Sequence, residues 1–229
     1  MPALRLIVAG AVACALVAPA AAQAAPTLQP LEPCYVSAGP TQRQTLRLAA
    51  GGFTPNAIVT VAVDGRPVPG VRPIQADPNG AFEGRVEAPY QRRGEKRFTV
   101  TLTETGNPAN AVSATSRVTA LTVEVSPKQA APTQRVRFTG RGFTGAGPVY
   151  AHYVFRNKLR ETVAMGRASG PCGTFQATRR QIPVKARTGT WLLQFDQKPA
   201  YSDPPDAIFV QLQIRVFRSF PGRALFGGL

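Results

Sequence analysis

The chain has 229 residues, 44% of them hydrophobic, which is enough to bury more than one modest core and argues against intrinsic disorder. Its 22 Pro and 21 Gly exclude an architecture of long helices. A formal net charge of +15 favours partners that are acidic or anionic.

Met1–Arg5 is a short basic start, Leu6–Ala18 an unbroken apolar run, and Ala22-Gln23-Ala24 an A-x-A pattern. That order is the layout of a secretory signal, so residues 1–24 are expected to be removed and the mature chain to begin at Ala25 outside the cytoplasm. The run is shorter than the roughly 20 apolar residues needed to span a bilayer, and no later segment qualifies. Residues 25–32 read as a leader, and residues 219–229 as a tail.

With Cys14 inside the signal, Cys34 and Cys172 remain. In an oxidising compartment they fit either a disulfide or two separate buried thiols. A strand spans roughly 17–20 Å, so an end-to-end tandem is expected to hold them apart. A bridge would then require domains packed side by side. No C-x-x-C spacing supports zinc, and no metal or cofactor is expected.

The sequence repeats at an offset near 90. Leu46-Arg47-Leu48-Ala49-Ala50-Gly51-Gly52-Phe53-Thr54 aligns with Val136-Arg137-Phe138-Thr139-Gly140-Arg141-Gly142-Phe143-Thr144. Val59, Val61 and Val63 match Val149, Ala151 and Tyr153. Asn79-Gly80-Ala81-Phe82 matches Cys172-Gly173-Thr174-Phe175, and Phe98, Val100 and Leu102 match Trp191, Leu193 and Phe195. Each repeat carries about seven short alternating runs punctuated by turn residues such as Asp64-Gly65 and Asp77-Pro78-Asn79-Gly80, the size and rhythm of an immunoglobulin-like sandwich. Alignment also resolves Val149–Met165, whose spacing fits helix or strand. Arg156-Asn157-Lys158 falls where Gly65-Arg66 turns, so the segment is a hairpin.

The opening of each repeat resembles the bacterial immunoglobulin-like modules of the IPT/TIG kind. The second repeat supplies Val123-Glu124-Val125-Ser126-Pro127 and then Thr139-Gly140-Arg141-Gly142-Phe143; the first supplies Tyr35-Val36-Ser37 and then Ala49-Ala50-Gly51-Gly52-Phe53. The resemblance implies a secreted or surface protein, all-β, with adhesion, spacer or accessory roles, and it assigns no activity. The domains are expected at 33–119 and 120–218, joined almost without a linker.

Little catalytic chemistry is legible. His152 is the chain's one histidine, and strand alternation places it on the outward face as a surface residue. No Gly-x-Ser-x-Gly elbow exists. Asp77-Pro78-Asn79-Gly80 lacks the distal ligands of a calcium loop and reads as a turn. The 196–206 loop, with Asp196, Tyr201, Asp203 and Asp206, is a solvated hairpin loop, with ligand binding or an enzyme site there as the lesser alternative.

Charge is unevenly divided. Residues 25–119 hold ten basic against seven acidic residues, and 120–229 hold sixteen against five. Arg135, Arg137 and Arg141 alternate along one strand, Arg156, Lys158 and Arg160 crowd one turn, and Arg179 and Arg180 follow another strand. These eight are the candidate polyanion-binding residues. The expected function is a secreted, non-enzymatic binding or structural protein presenting them to an anionic envelope polymer, a lipid surface or an acidic protein. Sequence-specific nucleic-acid recognition is not expected, because no aromatics interleave with the basic strand. An inert spacer is the alternative.

Overall fold

A computed structural model describes residues 25–70, 72–202 and 209–217. The expected signal peptide, Asp203, Asp206 and the tail lie outside the described residues. The N-terminal half forms β1 (Thr27–Leu28), β2 (Tyr35–Ser37), β3 (Thr45–Gly51), β4 (Ile58–Val63), β5 (Arg66–Pro67), β6 (Ile74–Gln75), β7 (Phe82–Glu87), β8 (Glu95–Glu104) and β9 (Asn107–Ala120). The C-terminal half forms β10 (Thr122–Ser126), β11 (Arg135–Arg141), β12 (Pro148–Phe155), β13 (Lys158–Arg167), β14 (Phe175–Arg180), β15 (Gly189–Asp196) and β16 (Val210–Val216). Among the described residues there is no helix.

Two pairs of sheets result. In the first, β1-β3-β7 faces β2-β9-β8-β4-β5, with β6 also on β4. In the second, β10-β11-β14 faces β13-β12-β15-β16. This crossover order, with sequential strands exchanged between facing sheets, is immunoglobulin-like. Period-2 alternation generates it: Leu46, Leu48, Val59, Phe82, Phe98, Val100 and Leu102 bury one cluster. Val136, Phe138, Val149, Ala151, Tyr153, Trp191, Leu193 and Phe195 bury the other. Trp191 is therefore core, as its alternation predicts.

The turns carry the chemistry expected of them. Asp64-Gly65 and Arg156-Asn157 close two-residue hairpins with φ values of 51°, 74°, 51° and 57°. Both central residues left-handed is the geometry that matches strand twist. The 149–165 segment is thus a hairpin. Asp77 accepts the Asn79 and Ala81 N–H groups at 2.8 Å each, a side-chain-stabilised turn.

Residues 25–32 are not a detached leader. β1 pairs antiparallel with β3, and Leu28 and Leu31 pack on the N-terminal cluster. The chain then crosses to the facing sheet, where β2 runs parallel to the end of β9, Tyr35 opposite Val118 and Ser37 opposite Ala120. Within β2, Tyr35 joins the N-terminal cluster and Val36 the C-terminal one.

This crossing decides the cysteines. Cys34 and Cys172 are bonded, with Cα atoms 5.1 Å apart. The expectation that a bridge needs side-by-side domains fails because Cys34 does not stand a strand length away. It directly precedes β2, which lies beside the end of β9 from which β10 starts one residue later. Cys172 sits in the turn whose carbonyl accepts the Gly142 N–H, and Gly142 packs on Leu121, the residue between β9 and β10. Leu121 N–H in turn donates to Ser37 O at 2.9 Å. The bridge closes across the junction itself.

Candidate functional site

The strand registers sort the basic residues. On β11, Arg135 and Arg137 are exposed while Val136 and Phe138 are buried. Arg135 lies directly opposite Arg180 of β14, and Arg137 opposite Thr178. Arg135, Arg137 and Arg180 therefore share the outer face of the β10-β11-β14 sheet. Arg141 is on the same face at the other end of β11 and half-buried, opposite Thr122.

Arg179 departs from this set. It faces Val136 and points between the sheets, where its guanidinium donates to the Thr178 carbonyl at 3.1 Å and to the Ala164 carbonyl of β13 at 3.4 Å. Its charge also acts on the phenol of Tyr153, whose pKa is raised by burial despite that cation. Arg179 is a clasp between sheets and not a member of the outer face.

Arg156, Lys158 and Arg160 stand exposed at the β12–β13 turn. The guanidinium groups of Arg156 and Arg160 lie 5.4 and 6.0 Å from the Phe155 ring centre, closing the end of the core. Topology places this turn at the pole of the C-terminal sandwich away from the junction. β11 begins there, β14 and β12 end there, and β15 begins there: Phe155 is opposite both Lys158 and Trp191. The connection from β14 to β15 adds exposed Lys185 and Arg187. Glu161, directly after Arg160, is the acid that interrupts the cluster.

Near the opposite pole, strand periodicity misjudges His152. It does face away from the sandwich core, as alternation demands, yet it is fully buried. Residues after β15 fold back over it, and the Tyr201 ring centre lies 5.7 Å from the imidazole. One ring nitrogen, Nε2, is 3.2 Å from Asp196 Oδ1, and Nδ1 is 3.0 Å from Thr162 Oγ1. Gln194 Nε2 and the Lys198 N–H donate to the same carboxylate at 3.0 and 2.9 Å. Burial works to raise the Asp196 pKa, but the hydrogen bonds from His152, Gln194 and Lys198 outweigh it and hold the carboxyl below its usual range. The order Thr–His–Asp resembles a nucleophile relay on paper. Here the imidazole is fully buried beneath the Tyr201 ring, and through Asp196 and the Lys198 N–H it ties down the loop after β15.

Among the described residues no cluster of three or more His, Cys, Asp or Glu is placed to hold a metal ion. No helix among them is long and apolar enough to cross a membrane.

No protein-family model matches the chain, and no curated protein matches it. Solved structures do. A titin immunoglobulin tandem is 12% identical, covering 83% of this chain and 95% of its own, with a TM-score of 0.28. Bovine butyrophilin is 9% identical over 83% of this chain and 96% of its own, with a TM-score of 0.30. The E. coli chaperone DraB is 15% identical over 84% and 98%, with a TM-score of 0.27. All are similar at the level of general architecture and carry nothing about activity.

Proposed function

We propose that this is a secreted, non-enzymatic binding protein of two tandem immunoglobulin-like domains, akin to the IPT/TIG modules, whose second domain presents a basic pole to anionic cell-envelope polymers or anionic surfaces. The observation that carries the reading is the register of Arg135 against Arg180 with Arg137 beside them, all exposed on one face. Three guanidinium groups held on rigid strands meet phosphates or carboxylates with paired hydrogen bonds at little ordering cost. Arg156, Lys158, Arg160, Lys185 and Arg187 extend the same field around the pole.

Heparin and teichoic-acid-type polymer are suitable probes. The mature chain should be retained on either and eluted by salt, because each neutralised anionic group releases counterions, with a log–log slope of about −0.7 to −0.9 per contact on dense polyanions. Changing Arg135, Arg137 and Arg180 together to Ser should flatten that slope by about two to three such contacts and leave the fold intact. Retention that ignores either salt or the triple substitution would leave the spacer reading in its place.

A further inference from the structure

The two sandwiches treat the seam between their facing sheets differently. In the first, the chain crosses that seam: β1 pairs on β3, then β2 pairs in parallel on β9 and covers the edge of the large sheet. In the second, β10 stays with β11 throughout. After Ser126-Pro127 the backbone leaves the ladder, and among the described residues no strand pairs with the outer edge of β16.

The seam therefore remains a groove of about 1050 Å³ between residues 125–132 and β16. Its floor is the rim of the core: Val125, Ala130, Leu212, Ile214 and Val216 are half-buried and pack against the C-terminal cluster. Phe217 stands 74% exposed at its end. Lys128 and Arg215 line it, and among the described residues no acid does. On β16, Gln211, Gln213 and Arg215 alternate outward with the apolar residues. An unpaired strand edge with an alternating face and cationic walls is a template for one more strand.

We propose that this seam is a strand-addition site for an extended segment of a partner protein, alternating apolar and acidic side chains and running parallel to β16. The direction follows from β2 on β9, where this chain fills the corresponding edge with its own residues. Apolar side chains of the guest cover Leu212, Ile214 and Val216. Its carboxylates fall on the outward face beside Arg215, and across the groove from Lys128. Backbone hydrogen bonds to β16 supply affinity, and the alternation sets the register.

The test uses the full mature chain and a labelled nine-residue peptide of alternating Val and Glu. It should bind, and hydrogen exchange should slow at the amides of β16. N-methylation at the positions facing β16 keeps the side chains and removes the donors, and should weaken binding by about tenfold or more. A Val and Lys peptide should fail to bind, and Lys128→Glu with Arg215→Glu should reverse that preference. Equal binding of the N-methylated peptide, or protection elsewhere than β16, overturns the proposal. So does slow exchange of the outward β16 amides in the free protein. If truncation after Phe217 abolishes it, the chain's own tail fills the seam; if dilution does, a second copy fills it. Peptide binding should survive the triple substitution of Arg135, Arg137 and Arg180 that flattens the polyanion salt slope, so the two readings fail separately; loss of peptide binding in that variant would assign the peptide to the basic pole and overturn the seam proposal.

Discussion

Phe53 and Phe143 each follow a glycine-rich turn, and each is met by the equivalent glycine of its own repeat, Gly80 and Gly173. The Phe53 N–H donates to Gly80 O at 3.1 Å and the Phe143 N–H to Gly173 O at 3.0 Å. A Cβ on Gly80 would stand 2.1 Å from the Phe53 carbonyl oxygen, and one on Gly173 2.0 Å from that of Phe143. Backbone cannot yield as a flexible side chain can. Gly80→Ala should therefore cost at least about 2 kcal/mol in urea unfolding. At Gly106 φ is 88° but nothing lies within 4 Å, so alanine there should cost about 1–2 kcal/mol, from conformation alone. A second residue-scale expectation concerns Tyr153, whose buried hydroxyl has no hydrogen-bond partner among the described residues. Tyr153→Phe removes an unsatisfied polar atom and should be neutral or stabilising by up to about 1 kcal/mol, read from the same denaturation curves. The repeat alignment already pairs Gly80 with Gly173, because the two turns share their spacing to the following Phe. It does not reveal Tyr153, since a phenol at a core position of the pattern looks like any large apolar residue.

At the scale of elements, the ends of β8 and β15 each tether the loop after the glycine turn. Glu104 accepts the Thr54 N–H at 3.1 Å, and Gln197 accepts the Gly145 N–H at 2.8 Å while donating to Gly145 and Gly147 carbonyls. Beside Gln197, Asp196 ties the following loop to the outward face of the sheet through His152. Because the Asp196 pKa is depressed on folding, its stabilisation is complete above the ordinary aspartate range and is lost as pH falls through the lowered value. Asp196→Asn should cost about 2 kcal/mol near neutrality, with the gap to wild type closing as pH falls below about 4. A gap that stays constant down to pH 2 would show that packing, not ionisation, holds the loop. Strand alternation is legible in the sequence and does assign His152 to the outer face. What it cannot supply is the return of residues beyond β15 over that face, a non-local contact with no periodic signature. The same limit applies to Arg179, whose place depends on the gap between β13 and β14. Arg135 and Arg137 needed only the strand period, while their neighbour Arg180 needed the register.

At the scale of the whole molecule, the two clusters are joined by more than a peptide link. Val36 hangs from the first sandwich and packs in the core of the second, and Leu121 anchors the same region. The sequence marks where β9 hands over to β10, since strand periods fill both sides of Leu121. The crossing of the chain from β1 to β2 is invisible there, because so short a strand as Tyr35–Ser37 carries no period, and with it went the position of Cys34. The Cys34–Cys172 bridge closes a sequence separation of 138 residues. For a loop of that length the chain-entropy model gives about 5 kcal/mol, if the enclosed chain unfolds as one unit. With the bridge intact, β2 cannot leave the junction while the second core melts, so the two sandwiches should unfold together. Replacing both cysteines by Ser should separate them, and the second should melt first because its seam between β10 and β16 exposes the rim of its core. Trp191 makes this measurable, being the chain's only tryptophan and fully buried in the second cluster. In the oxidised protein, tryptophan fluorescence and far-ultraviolet circular dichroism should trace one transition. In the double Ser variant fluorescence should change at lower temperature than the dichroism, which reports strands of both sandwiches. Coincident curves in the variant would mean that Val36, Leu121 and the Ser37 hydrogen bond suffice to couple the units without the disulfide.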